Sequence, residues 1–467
     1  MSTRDAALAA AAQAFDSGAF ARDLARRVAM PTESENPQRT AVLRAYLSDE
    51  MAPALAALGI ASALYDNPVA AAPPLLVGKR IEDPALPTVL VYGHGDVVRG
   101  HEGRWRDSRD PWALTAHGDR WYGRGSADNK GQHSINLAAL AALQSVRGGS
   151  LGFNVKWLVE MGEETGSPGL AEFCAAHRTQ LAADVLIASD GPRLRADRPT
   201  VYLGTRGVAN FDLTLKLRQG SHHSGNWGGL LRNPGTVMAS AIACLVDGRG
   251  RILVDGLRPP PMPASVRQAL SDIEVGGDLH DPAIDTAWGE PGLSPAERVF
   301  GWNTMEVLAF TTGNPAQPVN AIPPEAKAFM QLRFVVGTHA QRLREFVRAR
   351  LQQQGFGDIE VGEPVIMAAT RLDPDNDWVC LALRSIEFTT GKKPALLPNL
   401  GGSLPNDVFA EILGLPTVWV PHSYPACSQH APNEHLLAPV VREGLQMMTG
   451  LFWDLGEQAA ALPRLPR

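Results

Sequence analysis

Leu90-Val91-Tyr92-Gly93-His94-Gly95-Asp96-Val97-Val98 is an apolar run that ends abruptly in Gly-His-Gly-Asp. A strand that delivers a His and an Asp from its carboxyl end is where an α/β enzyme builds a site. His94 has the chemistry of a metal ligand, and Asp96, two residues on, is placed to hold its other ring nitrogen. A lone His-x-Asp is a weak motif, so its meaning depends on whether the chain supplies further ligands.

Outward from that stretch, strand and helix patterns alternate. Runs rich in Val and Leu predict strands at 75–79, 88–92, 153–159 and 185–188. The Ala- and Leu-rich stretch 129–146 predicts a helix stopped by Gly148-Gly149, and 168–177 a short one. Helices are also expected at 16–30 and 39–58. The alternation indicates a mixed, mostly parallel sheet flanked by helices. Near Thr205 the style changes: Phe211-Asp212-Leu213-Thr214-Leu215-Lys216-Leu217-Arg218 alternates with period two, as a half-exposed antiparallel strand does. A helix at 236–246, strands at 305–310, 326–336 and 359–361, and a helix at 339–354 complete a smaller α+β (ferredoxin-like) domain. Residues 255–300 read as irregular, with one short helix at 264–273. The first style returns in helices at 377–388, 405–412 and 434–452 and a strand at 417–420. The expected organisation is α/β: a catalytic domain in two parts, 1–205 and 365–467, with 206–364 inserted between them.

Composition sets outer bounds. The 467 residues are 45% hydrophobic and 20% charged, with a net charge of -6. That is a soluble globular balance, long enough for two domains. No long basic run suggests nucleic acid or an anionic membrane surface, and no apolar stretch is long enough to span a bilayer. The alanine-rich start carries Arg4, Asp5 and Asp16, unlike a secretory signal. Cys174, Cys244, Cys380 and Cys427 are scattered, which fits reduced thiols in a cytoplasm. Cys427, three residues before His430, reads either as a thiolate ligand or as a small, partly buried thiol.

Further candidate ligands stand where apolar strands or Gly-rich turns end. They are Asp128 in Gly123-Arg124-Gly125-Ser126-Ala127-Asp128-Asn129-Lys130-Gly131, the pair Glu163-Glu164, and Asp190 in Ser189-Asp190-Gly191. His430 lies in the loop Ser428-Gln429-His430-Ala431-Pro432-Asn433-Glu434. Each has a plainer reading alone: Asp128 as a helix N-cap, Glu163-Glu164 as an exposed turn, Asp190-Gly191 as an ordinary turn. Together, two His and several carboxylates suit Zn, Mn or Co. Five ligands exceed one tetrahedral zinc that keeps a water, and suit two metals sharing a carboxylate. The Gly-rich segment lacks the G-x-x-x-x-G-K-[ST] spacing of a phosphate loop.

Gly-His-Gly-Asp-Val-Val at 93–98, the 123–131 segment, Gly-Glu-Glu-Thr-Gly-Ser at 162–167, Ser-Asp-Gly at 189–191 and the late His430 resemble the two-zinc metallopeptidase family 20. That family holds aminoacylases, acetylornithine and succinyl-diaminopimelate deacylases, carboxypeptidase G and carnosinase-type dipeptidases. The resemblance implies that His94, Asp128 and Asp190 hold one metal, and Asp128, Glu164 and His430 the other. It makes Asp96 the support of His94 and Glu163 the general base, and implies a cis Asp128-Asn129 peptide. The metals implied are two divalent ions, Zn2+ first, with Mn2+ or Co2+ as alternatives.

The small domain carries its own likeness. Ser221-His222-His223-Ser224-Gly225-Asn226-Trp227-Gly228-Gly229 resembles the H-S-G-x-x-G-G segment of the dipeptidase branch. By that match the small domain is a lid and dimerisation domain, and His223 stabilises the oxyanion in the partner subunit of a homodimer. The usual pattern has Asp-Leu before this His; here Ser221-His222 stand there, which leaves His222 as a rival. Arg333, Asn320, Gly402 and Ser403 also match family elements, and would grip a free substrate carboxylate. Arg333 has the plainer reading of a solvated strand charge. The activity implied is hydrolysis of a dipeptide or N-acyl amino acid. A catabolic amidase acting on a non-peptide amide and a catalytically inactive binding relative are the competing readings.

Overall fold

The computed structural model describes residues 3–276 and 282–465. Two compact units emerge: Met1–Gly204 with Leu372–Leu397 and Pro405–Arg467, and Thr205–Arg371 with Pro398–Leu404.

The large unit is built on an eight-stranded sheet. Its order is Ala61–Tyr65, Leu75–Arg80, Asn154–Glu160, Thr88–His94, Val185–Ala188, Thr417–Trp419, Thr200–Tyr202, Ala395–Leu397. The middle four strands, Asn154–Glu160 to Thr417–Trp419, are mutually parallel. Antiparallel neighbours on either side make the sheet mixed. Every residue of Thr88–His94 and Asn154–Glu160 is buried, because helices cover both faces and a parallel strand then needs continuous apolar sequence. Val89 and Val91 share a core with Leu140, Leu143 and Phe452, from the helices Lys130–Val146 and Ala438–Gln458. Tyr92 points to the opposite face, where its ring lies 4.8 Å from Phe409 and 5.8 Å from Trp419. No helix among the described residues is long and apolar enough to cross a membrane.

Several elements differ from expectation. The alanine-rich start is a helix, Arg4–Asp16, separate from Ala19–Val28. Gly18, at φ 73, breaks the single helix expected at 16–30. The helix expected at 434–452 begins later: His435–Leu437 is a strand, and Ala438–Gln458 follows with a proline in its first turn. That strand joins the unforeseen hairpin Thr115–His117 and Arg120–Tyr122. Of 405–412, residues 406–412 are helical, widening into a broader turn over Val408–Ile412.

The small unit runs strand Gly207–Lys216, helix Pro234–Leu245, strands Thr304–Thr312 and Glu325–Phe334, helix Leu343–Gln353, strand Glu360–Val361. Its antiparallel sheet has the order Thr304–Thr312, Glu325–Phe334, Gly207–Lys216, Glu360–Val361, the β-α-β-β-α-β arrangement of a ferredoxin-like fold. Alternate residues Phe211, Leu213 and Leu215 face Met330, Ala328 and Ala326 across the ladder. They form a core with Met238, Leu245, Leu343 and Val347 from the two helices. The other sheet face stays open, as the period-two pattern requires. Within 255–300 the structure has the helix Ala264–Leu270 and a second, Pro295–Phe300, opened by a Ser294–Glu297 capping box. Residues 277–281 of that stretch lie outside the described residues.

Candidate metal centre

Three neighbouring parallel strands end together, and each delivers an acid or imidazole at its last residue or a few positions beyond it. His94 closes the first. Gly95 follows because a Cβ there would sit 2.4 Å from the Tyr46 ring. Asp96 is fully buried and does two things. Its Oδ1 lies 3.3 Å from His94 Nδ1, and its two oxygens accept the backbone N–H groups of Glu163 (3.2 Å) and Glu164 (3.1 Å). One carboxylate thereby orients the imidazole and fixes the turn that follows the neighbouring strand.

Asp128 sits between the two imidazoles. Its Oδ1 is 3.1 Å from His94 Nε2, and its Oδ2 is 2.9 Å from His430 Nε2. Gln429 Nε2 donates to the same Oδ2 at 2.5 Å. Asp190 Oδ2 lies 3.5 Å from His94 Nε2, Glu164 Oε2 lies 3.1 Å from His430 Nε2, and Glu163 Oε2 lies 3.9 Å from His94 Nε2. Two groups result, His94–Asp128–Asp190 and Asp128–Glu164–His430, each with its ligand atoms within 4.8 Å of one another. Asp128 belongs to both.

The loop carrying Asp128 closes tightly. A Cβ on Gly131 would meet the Ser126 carbonyl oxygen at 1.9 Å. The Asp128-Asn129 peptide is cis. Asn129 Nδ2 donates to the Ser189 carbonyl at 2.8 Å, tying this loop to the strand end that bears Asp190. The loop of His430 is strained instead: Ser428, His430 and Asn433 all lie in the left-handed region, at φ 58, 60 and 69. Each costs about 1 kcal/mol for a non-glycine residue.

Charge in the site is unbalanced. Burial disfavours charge on His94, yet the carboxylates of Asp128, Asp190 and Asp96 outweigh it and hold the ring well above the usual histidine range. Hydrogen bonds to Asp128 and Glu164 raise His430 to about 11. Burial, and then the charge of Asp128, push Glu164 up to about 7. Burial also drives Glu163 well above the carboxylate range, with Asp190, Asp128 and Glu164 outweighing the pull of His94. Asp128 goes the other way: against its burial, hydrogen bonds from His430 and His94 keep it far below. Among the described residues, Glu164 Oε1 and Asp190 Oδ2 are buried with no hydrogen-bond partner. Carboxylate oxygens with no hydrogen-bond partner, set beside imidazoles whose basicity those carboxylates raise, make a donor set that suits a cation. The donor set, imidazole and carboxylate only, fits divalent zinc, manganese or cobalt.

Sequence reasoning passed over three residues here. Glu434 and Arg124 form a buried ion pair at 2.6 Å, and Gln429 contacts Asp128. All three stand inside segments quoted for their ligands, and nothing but their charge or amide marks them. Cys427 is fully buried and its thiol is pushed up to about 12 by burial; it is in neither ligand group.

The remaining candidates lie in the small unit and form two clusters. Arg333 Nη1 donates to Ser403 Oγ at 2.9 Å, and Ser403 Oγ donates to the Arg206 carbonyl at 3.2 Å; Gly402 is the exposed residue before it. His223 pairs with Ala321 across the short ladder His222–His223 and Ala321–Ile322. Next to it, the Asn320 carbonyl accepts the Ser224 N–H at 2.9 Å. His223 Nδ1 accepts the Gly225 N–H at 3.1 Å. His222 turns toward the Trp227 ring, 6.0 Å away.

Residues 90–454 match the family model described as peptidase family M20/M25/M40. The beta-Ala-His dipeptidase of Mus musculus is 30% identical over 408 residues, 83% of this chain and 80% of that protein. The cysteinylglycine-S-conjugate dipeptidase of Corynebacterium striatum is 27% identical over 335 residues, 68% of this chain and 70% of that protein. The crystal structure of the M20 family metallo-carboxypeptidase Sso-CP2 of Sulfolobus solfataricus superposes with a TM-score of 0.77 at 25% identity, covering 94% of this chain and 99% of that one.

Proposed function

Because this chain belongs to the peptidase family M20/M25/M40, we propose that it hydrolyses the amide bond of a dipeptide bearing a free carboxylate, using two divalent cations. As a member of that family it is a metallopeptidase, and the relatives it matches over most of their length are dipeptidases. The observation that carries the finer reading is the double membership of Asp128, which puts two ligand groups one carboxylate apart beside Glu163.

His94, Asp128 and Asp190 would hold one cation, and Asp128, Glu164 and His430 the other, with zinc first and manganese or cobalt as substitutes. Cations there supply positive charge that polarises the scissile carbonyl and makes a bound water acidic near neutral pH. Glu163 takes the proton from the attacking water and passes it to the leaving amine. Asp96 keeps His94 and the Glu163–Glu164 turn in place through the contacts above. The oxyanion is assigned to His223 rather than His222. Because its Nδ1 accepts a backbone N–H, the neutral ring carries its proton on Nε2, ready to donate. Arg333 and Ser403, with Gly402, are assigned to the substrate carboxylate, since a guanidinium and a hydroxyl already meet there; Asn320, which the family match groups with them, stands instead beside His223.

The small unit is assigned as a lid and dimerisation domain, with the chain acting as a homodimer. In support, Thr304–Thr312 is an edge strand and exposes Val307, Leu308 and Phe310, an apolar edge of the kind that pairs with another copy. The four free thiols are consistent with a cytoplasmic enzyme.

The test is hydrolysis of a panel of dipeptides, including β-Ala-His and Cys-Gly, and of N-acyl amino acids, by chain stripped with chelator and reloaded with zinc, manganese or cobalt. Dipeptide cleavage that chelation abolishes and a metal restores is the expected result. A fully metal-loaded chain that leaves every dipeptide intact overturns the reading.

A further inference from the structure

Asp128 and His430 lie in different loops, far apart in sequence, yet both must reach the same cation. One buried ion pair joins those loops. The Glu434 carboxylate, with its side chain 1% exposed, accepts four hydrogen bonds. They come from Arg124 Nη1 at 2.6 Å and from the backbone N–H groups of Ala127 (2.8 Å), Asp128 (3.1 Å) and Gly125 (3.2 Å). Two of these donors are the N–H of Asp128 itself and that of Ala127, the residue before it. In the other direction, Arg124 Nη2 donates to the carbonyl of Ala431, the residue after His430, at 3.1 Å. The Glu434 carbonyl accepts the Gly123 N–H at 3.1 Å, and His435 N–H closes the loop onto the Cys427 carbonyl at 2.9 Å.

We infer that Glu434, with Arg124, is a positioning residue that fixes the Asp128 loop against the His430 loop and so sets the cation affinity of the Asp128–Glu164–His430 group. The inference rests on the two-cation reading above. Its physical basis is the cost of the arrangement. A carboxylate and a guanidinium are both withdrawn from water, which is tolerated only when hydrogen bonds satisfy them. Here those hydrogen bonds are spent on the backbone of the two loops that carry ligands. The strained left-handed residues at 428, 430 and 433 persist only where surroundings over-determine them, and Arg124 supplies one such constraint at Ala431. The inner group does not depend on this clamp in the same way, because His94 and Asp190 emerge directly from strand ends.

The experiment is a cobalt(II) titration of chelator-stripped chain, read by calorimetry and by the visible absorption of the bound ion. Wild type, Glu434→Gln and the double variant Arg124→Met/Glu434→Gln are compared, with thermal melts of each apo form. The double variant removes the unpaired guanidinium that Glu434→Gln alone would leave buried. The expected result is two ions per wild-type chain. In both variants the weaker of the two affinities falls by about 10- to 100-fold, while the tighter one changes far less and the apo melt of the double variant stays near wild type. Activity returns toward wild type as cobalt is raised. If both variants bind two ions with wild-type affinities, the inference is overturned and Glu434 serves the fold alone. If the loss in Glu434→Gln disappears in the double variant, it belonged to the stranded Arg124 charge and the inference is likewise overturned. A wild-type chain that binds only one ion overturns the two-cation reading itself, whatever the variants do.

Discussion

His94 and His430 both lie against Asp128, but the side chain of His94 is 0% exposed and that of His430 is 55% exposed. The inner imidazole comes from the end of a central parallel strand, with Asp96 behind it and Asp190 arriving from the next strand. The outer one comes from a loop of left-handed residues more than three hundred positions later, pinned from beneath by Arg124 and Glu434. The inner group is therefore preorganised by the sheet, and the outer group by a few buried hydrogen bonds. A cation held by the first group would be walled off, whereas one held by the second would exchange with solvent.

The variants that test this contrast can be ordered by expected effect. Asp128→Asn removes what the groups share, so hydrolysis falls below detection and ion content drops in elemental analysis; retention of both ions would show that the groups do not depend on a common carboxylate. Glu163→Gln spares both groups and removes only the proposed proton carrier. Turnover should drop by about 10²- to 10⁴-fold with metal content unchanged, and unaltered turnover at full occupancy would clear Glu163 of the role. His430→Ala separates the groups: chain purified in limiting cobalt retains the inner ion and loses the outer one, and equal loss of both would erase the distinction drawn above. Timed chelation of wild type, followed by rapid gel filtration, should strip the outer ion first, in two phases rather than one.

The smallest effect concerns the floor beneath the inner group. His422 is fully buried; its Nε2 lies 3.2 Å from Ser189 Oγ, and its Nδ1 has no partner among the described residues. Burial, and then the charge of Arg193, hold its pKa well below the ordinary value of 6.5. Below that value the unfolded chain binds a proton that the folded chain refuses. Stability is therefore full above about pH 6.5 and falls as pH drops, by at most about 1.4 kcal/mol per pH unit from this residue. Apo-chain denaturant midpoints measured from pH 7 down to 5 should show the slope, and His422→Asn should flatten it.

The strand end that carries His94 was legible in the sequence because its logic is local, while its grouping with Asp128 and Asp190 came from the family resemblance. An apolar run ending in Gly-His-Gly-Asp already contains the strand, the turn and the ligand. The clamp was not legible. Glu434 follows Pro432-Asn433 in what reads as an ordinary polar loop, and Arg124 stands among glycines that invite a different interpretation. Only packing reveals that they meet. The fold shows the same division. Strands buried on both faces announced themselves by Val and Leu, whereas Arg4–Asp16, with seven alanines among its 13 residues, has no apolar stripe to give it away. The three residues of His435–Leu437 look like the start of the helix behind them until a hairpin partner at Arg120–Tyr122 claims them.

The distance along the chain between Arg124 and Glu434, 310 residues, also has a meaning in time. At ordinary rates of synthesis a ribosome needs roughly 15–60 s to travel it. Throughout that interval the nascent polypeptide holds an arginine destined for burial, and an aspartate common to both ligand groups whose partner loop has not been made. A cation in the outer group would therefore have to wait until the loop of His430 has been made, long after the strand that ends in His94.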